Sequence, residues 1–317
     1  MRLFSANLQE DQMVSPKLQR IKKEAGERMI ISLSGVSLSQ SEEKMLAEIS
    51  PCGIIYFKRN VESCESLSAL IRSTGRFDSI RYHAVDEEGG RVRRLPNGDY
   101  SLPSMKVLSQ FDNEEKLNKI RYLASVLSEI GINMNMAPDL DLRSGEDNSI
   151  VGDRSFGKDP SDVVENAALY IRAMKEFNVF PVLKHFPGHG TTSVDSHTQL
   201  PVIGKPFSEL LESDLVPYMK LADSAGFVMK AHLLLPEISP LPATLAPEWD
   251  EILRKRVGFT GISITDDMEM HALDCYSVEQ KVSLFLASGT DKFLTCSGDT
   301  DLTNQIFEFF VKMFEKL

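Results

Sequence analysis

The chain has 317 residues, of which 42% are hydrophobic and 26% are charged. This composition is typical of soluble globular proteins and excludes the disordered and fibrous classes. Lys and Arg total 35 against 46 Asp and Glu, which gives a net charge of −11. Since phosphate binding needs a basic surface, we expect no nucleic-acid partner. A local basic patch on the acidic body is the alternative.

The cysteines and the N-terminus indicate the compartment. The four cysteines have neither C-x-x-C spacing nor the density of a disulfide-linked scaffold; they are Cys52, Cys64, Cys275 and Cys296. The N-terminal stretch MRLFSANLQEDQMVSPKLQR carries charges where a signal peptide would need a continuous apolar run. No apolar run long enough for a membrane span follows. We therefore expect a cytoplasmic protein with no membrane partner and no obligatory protein partner.

Short apolar runs rich in β-branched residues alternate with helix-like segments. In chain order, the predicted strands span residues 28–35, 52–60, 80–86, 132–142, 180–185, 226–236, 261–267 and 289–297. The predicted helices lie at residues 39–49, 112–132, 161–177, 208–225 and 300–316. In segment 112–132, apolar residues recur every three or four positions, and Gly131 stands where the helix should end.

This alternation predicts the fold class. Strands that are apolar on both faces and separated by helices indicate parallel β/α construction. Eight such units predict an α/β protein with a single-domain (β/α)8 TIM barrel. No linker, charge block or low-complexity tract divides the sequence. A doubly wound open sheet is the competing arrangement.

Residues with reactive or binding side chains gather where the predicted strands end. They are Asp86, Asp139, Asp141, Lys184, His185, His232, Asp266 and Asp267. In a barrel, all these strand ends open on one rim, where active sites are built. Each residue taken alone also fits a turn former or a helix cap. Because five separate strands repeat the pattern, we favour a site.

Two glycine-containing segments add candidate ligand contacts. In DEEGGRVRRL (86–95), the Gly-Gly pair lets the backbone turn closely around a ligand. It is followed by Arg91, Arg93 and Arg94, whose planar guanidinium groups suit paired hydroxyls or carboxylates. GDRSFG (152–157) is similar, with Arg154 as the candidate contact. A solvated turn is the alternative for both segments.

The loop KHFPGHGTTSVDSH (184–197) is the most conspicuous polar stretch. Asp195 and His197 project to one side of an extended segment, with Cα atoms roughly 6–7 Å apart. A contact between them would orient the imidazole and keep a proton available near neutral pH; a purely structural pair is the alternative. A zinc site is a further alternative, because the loop holds His185, His189, Asp195 and His197. The loop's proline and glycines argue against the helix that His-x3-His spacing would need, so we expect no metal.

The segment GISITDDMEM ends a buried strand with two carboxylates. Asp266 and Asp267 point to opposite sides if the strand continues, so only one can face the centre of the rim. Periodicity does not choose between them, because Ile262 and Ile264 fit either face of the strand. The other carboxylate would cap the turn that follows.

Together these motifs resemble a known family. VDEEGGRVRR, GDRSFG, KHFPGHG, DSH and SITDDMEM follow one another in the order and spacing of glycoside hydrolase family 3, over about residues 28–297. The most similar branch is the single-domain bacterial β-N-acetylglucosaminidases of peptidoglycan recycling. KHFPGHG followed by DSH is a highly specific combination.

The resemblance implies a retaining hydrolase in which Asp266 attacks the anomeric carbon and Asp267 is a bystander. It also implies that His197, supported by Asp195, replaces the usual carboxylic acid/base. The sugar-holding positions carry over as Asp86, Arg94, Arg154, Lys184 and His185. The implied activity is exo-hydrolysis of terminal β-linked N-acetylglucosamine from muropeptide-derived sugars. The implied partner is a small carbohydrate, and no cofactor is expected.

The sequence departs from the family pattern in a few places. Glu87 stands where the family often has Gln, and Thr265 where it often has Ser. Residues 1–27 have no counterpart in the resemblance, so we predict an N-terminal extension at 1–27 and a catalytic domain at 28–317. The alternatives to a hydrolase of this kind are a β-glycoside phosphorylase, a sugar-binding protein without turnover, and a metal-dependent hydrolase.

Overall fold

The computed structural model describes residues 15–143, 151–189 and 200–316. Within these ranges, eight parallel strands close into a barrel in the order β1 to β8, because β1 pairs with both β2 and β8. The strands are β1 (Met29–Ser32), β2 (Gly53–Tyr56), β3 (Tyr82–Val85), β4 (Met134–Asn135), β5 (Phe180–Phe186), β6 (Phe227–Lys230), β7 (Ile262–Asp267) and β8 (Lys292–Leu294). Each strand coincides with one predicted run. The predicted barrel is therefore confirmed, and the open sheet is excluded.

Helices surround the barrel. In the described residues they are α1 (Pro16–Glu27), α2 (Gln40–Ile49), α3 (Cys64–Thr74), α4 (Met105–Leu108), α5 (Asn113–Ile130), α6 (Pro160–Glu176), α7 (Phe207–Glu212), α8 (Val216–Leu221), α9 (Pro247–Glu251), α10 (Val278–Ala287) and α11 (Thr300–Lys316). The prediction of one helix over 208–225 is wrong, because α7 and α8 are separate there. Pro217 lies in the first turn of α8, where its missing N–H is tolerated. Inside one long helix, the same proline would remove a hydrogen bond.

Helix α5 shows how the local sequence sets an element. Asp112 caps its N-terminus by accepting hydrogen bonds from the backbone N–H groups of Glu114 and Glu115, at 3.0 and 2.8 Å. Gly131 ends the helix in the left-handed region, with a φ of 96°. Between them runs a buried apolar stripe that includes Ile120, Leu123, Ala124, Leu127 and Ile130. The predicted end at Gly131 is therefore confirmed.

The barrel interior has an apolar cluster of its own, separate from the layer between strands and helices. Its buried members come from every strand or its immediate flank: Ile30, Cys52, Ile55, Ala84, Met134, Met136, Val182, Phe227, Met229, Ile264 and Leu294. The barrel is therefore filled by side chains, as is usual for this fold. A ligand can approach only from the ends, and the polar residues lie at the carboxyl ends of the strands.

Helix α1 precedes the predicted domain boundary. Its Ile21, Ala25 and Gly26 are buried, and a Cβ on Gly26 would lie 1.9 Å from the carbonyl oxygen of Ile49 at the end of α2. Helix α1 therefore packs closely on its neighbour. The division into residues 1–27 and 28–317 stays a prediction. In the part of the chain that the structure describes, no helix has both the length and the apolarity needed to cross a membrane.

Candidate active site

A cleft of about 300 Å³ opens at the carboxyl ends of the strands. Its lining includes most of the predicted polar residues: Asp86, Arg94, Arg154, Lys184, His185, Asp266 and Asp267. These residues come from segments that are distant in sequence, and the segments meet because parallel strands of a barrel end on one rim. Asp139, Asp141 and His232 follow the same strand ends but are buried and do not border the cleft.

Alternating charges form a continuous network in the cleft lining. Asp86 accepts hydrogen bonds from Lys184 Nζ at 2.9 Å and from Arg94 Nη2 at 3.1 Å. Glu88 lies 2.5 Å from Lys184 Nζ and accepts hydrogen bonds from Arg154 Nη2 and Nε at 2.7 and 2.8 Å. Carboxylates thus hold each cation in place and orient its remaining N–H groups.

The network sets the ionisation of its carboxyls. Burial by itself would raise the pKa of Asp86, but Lys184 and Arg94 outweigh burial and hold this pKa below its ordinary value. Burial opposes the ionisation of Glu88 in the same way, yet Arg154 and Lys184 lower its pKa far below the usual range. Both carboxylates are ionised near neutral pH. The lining therefore offers fixed N–H donors and carboxylate acceptors, which is the pairing that hydroxyl groups require.

Two glycines shape the turn at residues 86–95. Gly89 and Gly90 have φ values of 109° and 55°, in the region that favours glycine. A Cβ on Gly89 would lie 2.4 Å from the carbonyl oxygen of Pro103. The glycine pair is therefore required by close backbone packing, and this turn is an ordered part of the site.

Glu87 stabilises the same turn through hydrogen bonds. Its carboxylate accepts hydrogen bonds from the backbone N–H groups of Arg94 and Leu95 at 2.7 and 2.9 Å. Its backbone N–H donates to Asn135 Oδ1 at 2.9 Å. The side chain is 1% exposed, and burial raises its pKa. Since a glutamine oxygen could accept the same two hydrogen bonds, the departure from the family pattern at this position preserves the turn.

His185 is neutral, and its neighbours determine its tautomer. Its Nδ1 lies 2.8 Å from Asp141 Oδ2, and its Nε2 lies 3.2 Å from Arg154 Nη2. Because a guanidinium only donates, Nε2 is the acceptor, and Nδ1 carries the hydrogen that Asp141 accepts. Burial and the charge of Arg154 lower the pKa of His185 to about 4. The ring is therefore held in one orientation between a carboxylate and a guanidinium.

Strand β7 directs Asp266 toward the cleft. Ile264, two residues earlier, belongs to the interior cluster, and side chains two apart on a strand share a face. Asp266 Oδ1 accepts the backbone N–H of Asp267 at 2.8 Å. Burial would raise the pKa of Asp266. The charge of His232, the charge that His185 gains below its pKa of about 4, and the hydrogen bond from Asp267 outweigh burial and lower it. Asp266 is therefore an ionised carboxylate in the cleft.

Asp267 also borders the cleft, although strict alternation along β7 would turn it away. The register between β7 and β8 shifts between Ile264 and Asp267, and such an irregularity breaks the alternation. Asp267 Oδ1 accepts the backbone N–H of Glu269 at 3.1 Å, which is the capping contact expected for one of the two carboxyls. Burial and the charge of Glu269 raise the pKa of Asp267 to about 7. The two adjacent carboxyls therefore differ in ionisation: just below pH 7, Asp266 is ionised while Asp267 holds a proton.

The predicted acid/base pair, Asp195 and His197, lies in residues 190–199, outside the described residues. His189 is the last described residue before that segment, and it borders the cleft. Its backbone N–H donates to Asp141 Oδ1 at 2.8 Å. The roles of Asp195 and His197 stay predictions.

Sequence reasoning missed Glu88, which binds two cations of the site. The signal used was the position directly after a strand end, and this signal selects Asp86 two residues earlier. The run of three acidic residues before Gly-Gly in DEEGG was visible. No local pattern, however, shows that Lys184 and Arg154 converge on the third of them.

Asp139, Asp141 and His185 form a group with the donor spacing of a metal site. One oxygen or nitrogen of each lies within 4.8 Å of the others. Among the described residues, this is the group of three possible metal ligands that lie so close together. His185 Nδ1 already bonds Asp141, and the guanidinium of Arg154 lies 3.5 Å from Asp139 and 3.2 Å from His185. A divalent cation there would meet a fixed positive charge, so these residues as arranged do not fit one.

Comparison with known proteins settles the family. Residues 12–314 match the Glycosyl hydrolase family 3 N terminal domain. The chain belongs to this family. It is a glycoside hydrolase, and the family predicted from the motifs is confirmed.

Several relatives are similar over most of this chain. A beta-hexosaminidase from Idiomarina loihiensis is 33% identical over 279 residues, which cover 85% of this chain and 84% of the relative. A family 3 β-N-acetylglucosaminidase from a Paenibacillus species has a TM-score of 0.87 at 29% identity; the match covers 93% of this chain but only 58% of that protein. NagZ from Neisseria gonorrhoeae, solved in complex with N-trifluoroacetyl-D-glucosamine, has a TM-score of 0.81 at 29% identity over 92% of this chain and 89% of its own. Another structure of NagZ is in complex with a zinc ion, with a TM-score of 0.78 at 29% identity over 89% and 84% of the two chains.

Proposed function

We propose that this glycoside hydrolase is a retaining exo-glycosidase that releases terminal β-linked N-acetylglucosamine from muropeptide-derived sugars. The sugars are of the N-acetylglucosamine–anhydro-N-acetylmuramic acid type. The observation that carries the proposal is the ionised carboxylate of Asp266 in a cleft lined by paired cations and carboxylates. Relatives named beta-hexosaminidase, and one solved with N-trifluoroacetyl-D-glucosamine, support the choice of sugar.

The charged network would bind the terminal sugar. Lys184, Arg94 and Arg154 have N–H groups to donate to sugar hydroxyls, and Asp86 has carboxylate oxygens to accept from them. His185 completes the lining and contacts Arg154 at 3.2 Å. These groups hold one another before a sugar arrives, which limits the entropy lost on binding.

In the first step, an Asp266 oxygen forms a bond to the anomeric carbon while the bond from that carbon to the leaving oxygen breaks. The leaving oxygen takes a proton from His197, which Asp195 orients. In the second step, a water molecule gives a proton to His197 and bonds to the anomeric carbon, and the bond to Asp266 breaks. Both steps pass through an oxocarbenium-like transition state, which the negative charge of Asp266 stabilises.

Turnover of an aryl β-N-acetylglucosaminide tests the proposal directly. Asp266→Ala should lower kcat on the order of 10⁴-fold or more, because the nucleophile is lost. Asp99→Ala, at an exposed position, is the matched control for removal of an aspartate. Absence of turnover in the native chain, or unchanged turnover in Asp266→Ala, would refute the proposal. Mass spectrometry after incubation with a 2-fluoro sugar should find a covalent sugar on the peptide that contains Asp266.

The acid/base role is tested with two leaving groups. His197→Ala should lose most of its kcat/KM, which reports the first step, on a substrate whose leaving oxygen needs a proton. It should lose little kcat/KM on a dinitrophenyl glycoside, whose leaving group needs none. Equal losses on both substrates would contradict the assignment. Asp195→Asn should show the same difference in weaker form, because Asp195 acts through His197.

The natural substrate and the acceptor are tested by product analysis. A muropeptide-derived disaccharide should be cleaved with a higher kcat/KM than chitobiose, and the reverse order would overturn the proposed substrate. In phosphate buffer the product should be the free sugar, whereas a sugar 1-phosphate would identify a phosphorylase. We also propose that the reaction takes place in the cytoplasm, in keeping with the free state of all four cysteines.

We propose catalysis without a metal ion, although two similar proteins have been solved with zinc. The support is the position of Arg154, which puts a fixed positive charge beside Asp139 and His185. Activity should therefore survive dialysis against a chelator. A loss of activity that zinc restores would contradict this part of the proposal.

A further inference from the structure

Asp139 is a buried carboxyl that the proposed chemistry does not use. It follows β4 and is 0% exposed, and its Oδ1 accepts the backbone N–H of Asp141 at 2.8 Å. Its Oδ2 is buried and accepts no hydrogen bond from the described residues; Arg154 Nε lies 3.5 Å away. An ionised oxygen buried without a donor is costly, and a hydrogen on Oδ2 would remove that cost.

The charge balance of the site also favours one bound proton. Four carboxyls and three cations are linked in one cluster with His185: Asp86, Glu88, Asp139 and Asp141 against Arg94, Arg154 and Lys184. With His185 neutral, four negative charges against three positive leave one negative charge in excess. Because uncompensated charge is costly away from water, one proton on this cluster would restore the balance.

We propose that Asp139 is a positioning residue that carries a hydrogen on Oδ2 and, as a neutral acid, donates it to the carboxylate of Asp141. The oxygens of the two carboxyls lie within 4.8 Å of each other and of a His185 ring nitrogen. Burial and the charge of Asp141 raise the pKa of Asp139 well above its ordinary value. Burial also raises the pKa of Asp141, to about 6, but a hydrogen bond with Asp139 acts in the opposite direction.

The hydrogen of Asp139 keeps Asp141 in contact with His185. Asp141 Oδ2 accepts the Nδ1 hydrogen of His185 at 2.8 Å, which leaves Nε2 to accept from Arg154 at 3.2 Å. Two neighbouring ionised carboxyls would repel each other, and Asp141 would move away from His185. Asp139 thus holds a sugar-binding arginine in place through Asp141 and His185, and this consequence rests on the proposed function.

Charged and titratable groups face Asp139 from each neighbouring element. They are Asp141 in its own loop, Glu88 after β3, Arg154 in the turn Gly152–Arg154, His185 on β5, and the phenol of Tyr218 on α8. Burial raises the pKa of Tyr218, so its phenol stays neutral. The positive charge among these groups belongs to Arg154, which Glu88 already binds through two hydrogen bonds. An ionised Asp139 would therefore be weakly compensated.

Two substitutions separate a neutral donor from a charged partner. Asp139→Asn keeps an N–H donor without charge. Asp139→Leu keeps the branching of the side chain but removes the donor, together with the oxygen that accepts the N–H of Asp141. On an aryl β-N-acetylglucosaminide, Asp139→Asn should keep KM within about 3-fold of the native chain, and Asp139→Leu should raise KM about 10-fold with little change in kcat. If Asp139→Asn raises KM as much as Asp139→Leu, Asp139 is ionised and the proposal fails. It fails equally if Asp139→Leu leaves KM unchanged.

Carbon-13 NMR of the aspartate carboxyls in the full native chain tests the proposal without turnover. The Asp139 signal is identified by its loss in Asp139→Asn. At pH 7, its chemical shift should be that of a protonated carboxyl. The shift of an ionised carboxylate would overturn the proposal. A native chain that cleaves no N-acetylglucosaminide would refute the proposed function, and this spectrum would still decide the state of Asp139.

Discussion

The Asp267→Asn variant should be more stable than the native chain at pH 8 and about equally stable at pH 4. Asp267 accepts the backbone N–H of Glu269 at 3.1 Å, and asparagine keeps an acceptor oxygen for that contact. Burial and the charge of Glu269 raise the pKa of Asp267 from 3.8 to about 7. Above pH 7, the native fold must therefore hold an ionised carboxylate beside Asp266 and Glu269, whereas asparagine carries no charge.

The magnitude follows from the linkage between proton binding and folding. The unfolded chain releases this proton near its ordinary pKa of 3.8, and the folded chain releases it near 7. The folded state thus binds more protons in this window, and the free energy of unfolding falls as the pH rises through it. A shift of about 3 units corresponds to about 4 kcal/mol. Because water reaches the cleft, we discount this to about 2 kcal/mol, or roughly 4 °C in Tm.

Urea denaturation of both chains at pH 4 and pH 8 measures this difference. Other titrating groups cancel when the two chains are compared at the same pH. Asp99→Asn, at an exposed position, is the control for loss of a negative charge from an acidic protein. If Asp267→Asn changed the free energy of unfolding equally at both pH values, asparagine would be acting through packing, and the reasoning would be refuted.

Two further substitutions test the turn and the network of the site. Glu88→Gln removes the buried charge that Lys184 and Arg154 share, and it should lower the free energy of unfolding by about 3 kcal/mol in urea denaturation; a loss below about 1 kcal/mol would argue against a buried ion network. Gly89→Ala combines a φ of 109° with a Cβ placed 2.4 Å from a backbone oxygen, and it should cost about 3 kcal/mol or more. Gly258→Ala is the matched comparison, because its φ is 81° but nothing lies within 4 Å of the new Cβ, and it should cost about 1 kcal/mol. Equal losses of Tm in the two alanine variants would show that the close contact at position 89 relaxes freely.

Much of the fold was predictable because its determinants are local. Each barrel strand is buried on both faces, so it appears in the sequence as a short apolar run. Helix α5 carries its own cap at Asp112 and its own end at Gly131. The helix predicted over 208–225 was wrong because apolar spacing continues past Pro217, although the proline ends the pattern of hydrogen bonds.

The sequence by itself determined which residues stand at the strand ends, and the rim of a parallel barrel then brings Asp86, Lys184, His185 and Asp266 to one cleft. Only the tertiary structure decided how these groups are paired and ionised. Glu88 in the loop after β3 bridges Lys184 on β5 and Arg154 in the turn Gly152–Arg154. The choice of Asp266 depends on which face of β7 meets the interior. The physical reason is that hydrogen bonds and pKa shifts depend on contacts of about 3 Å and on the exclusion of water. Both arise only when the strands close into a barrel.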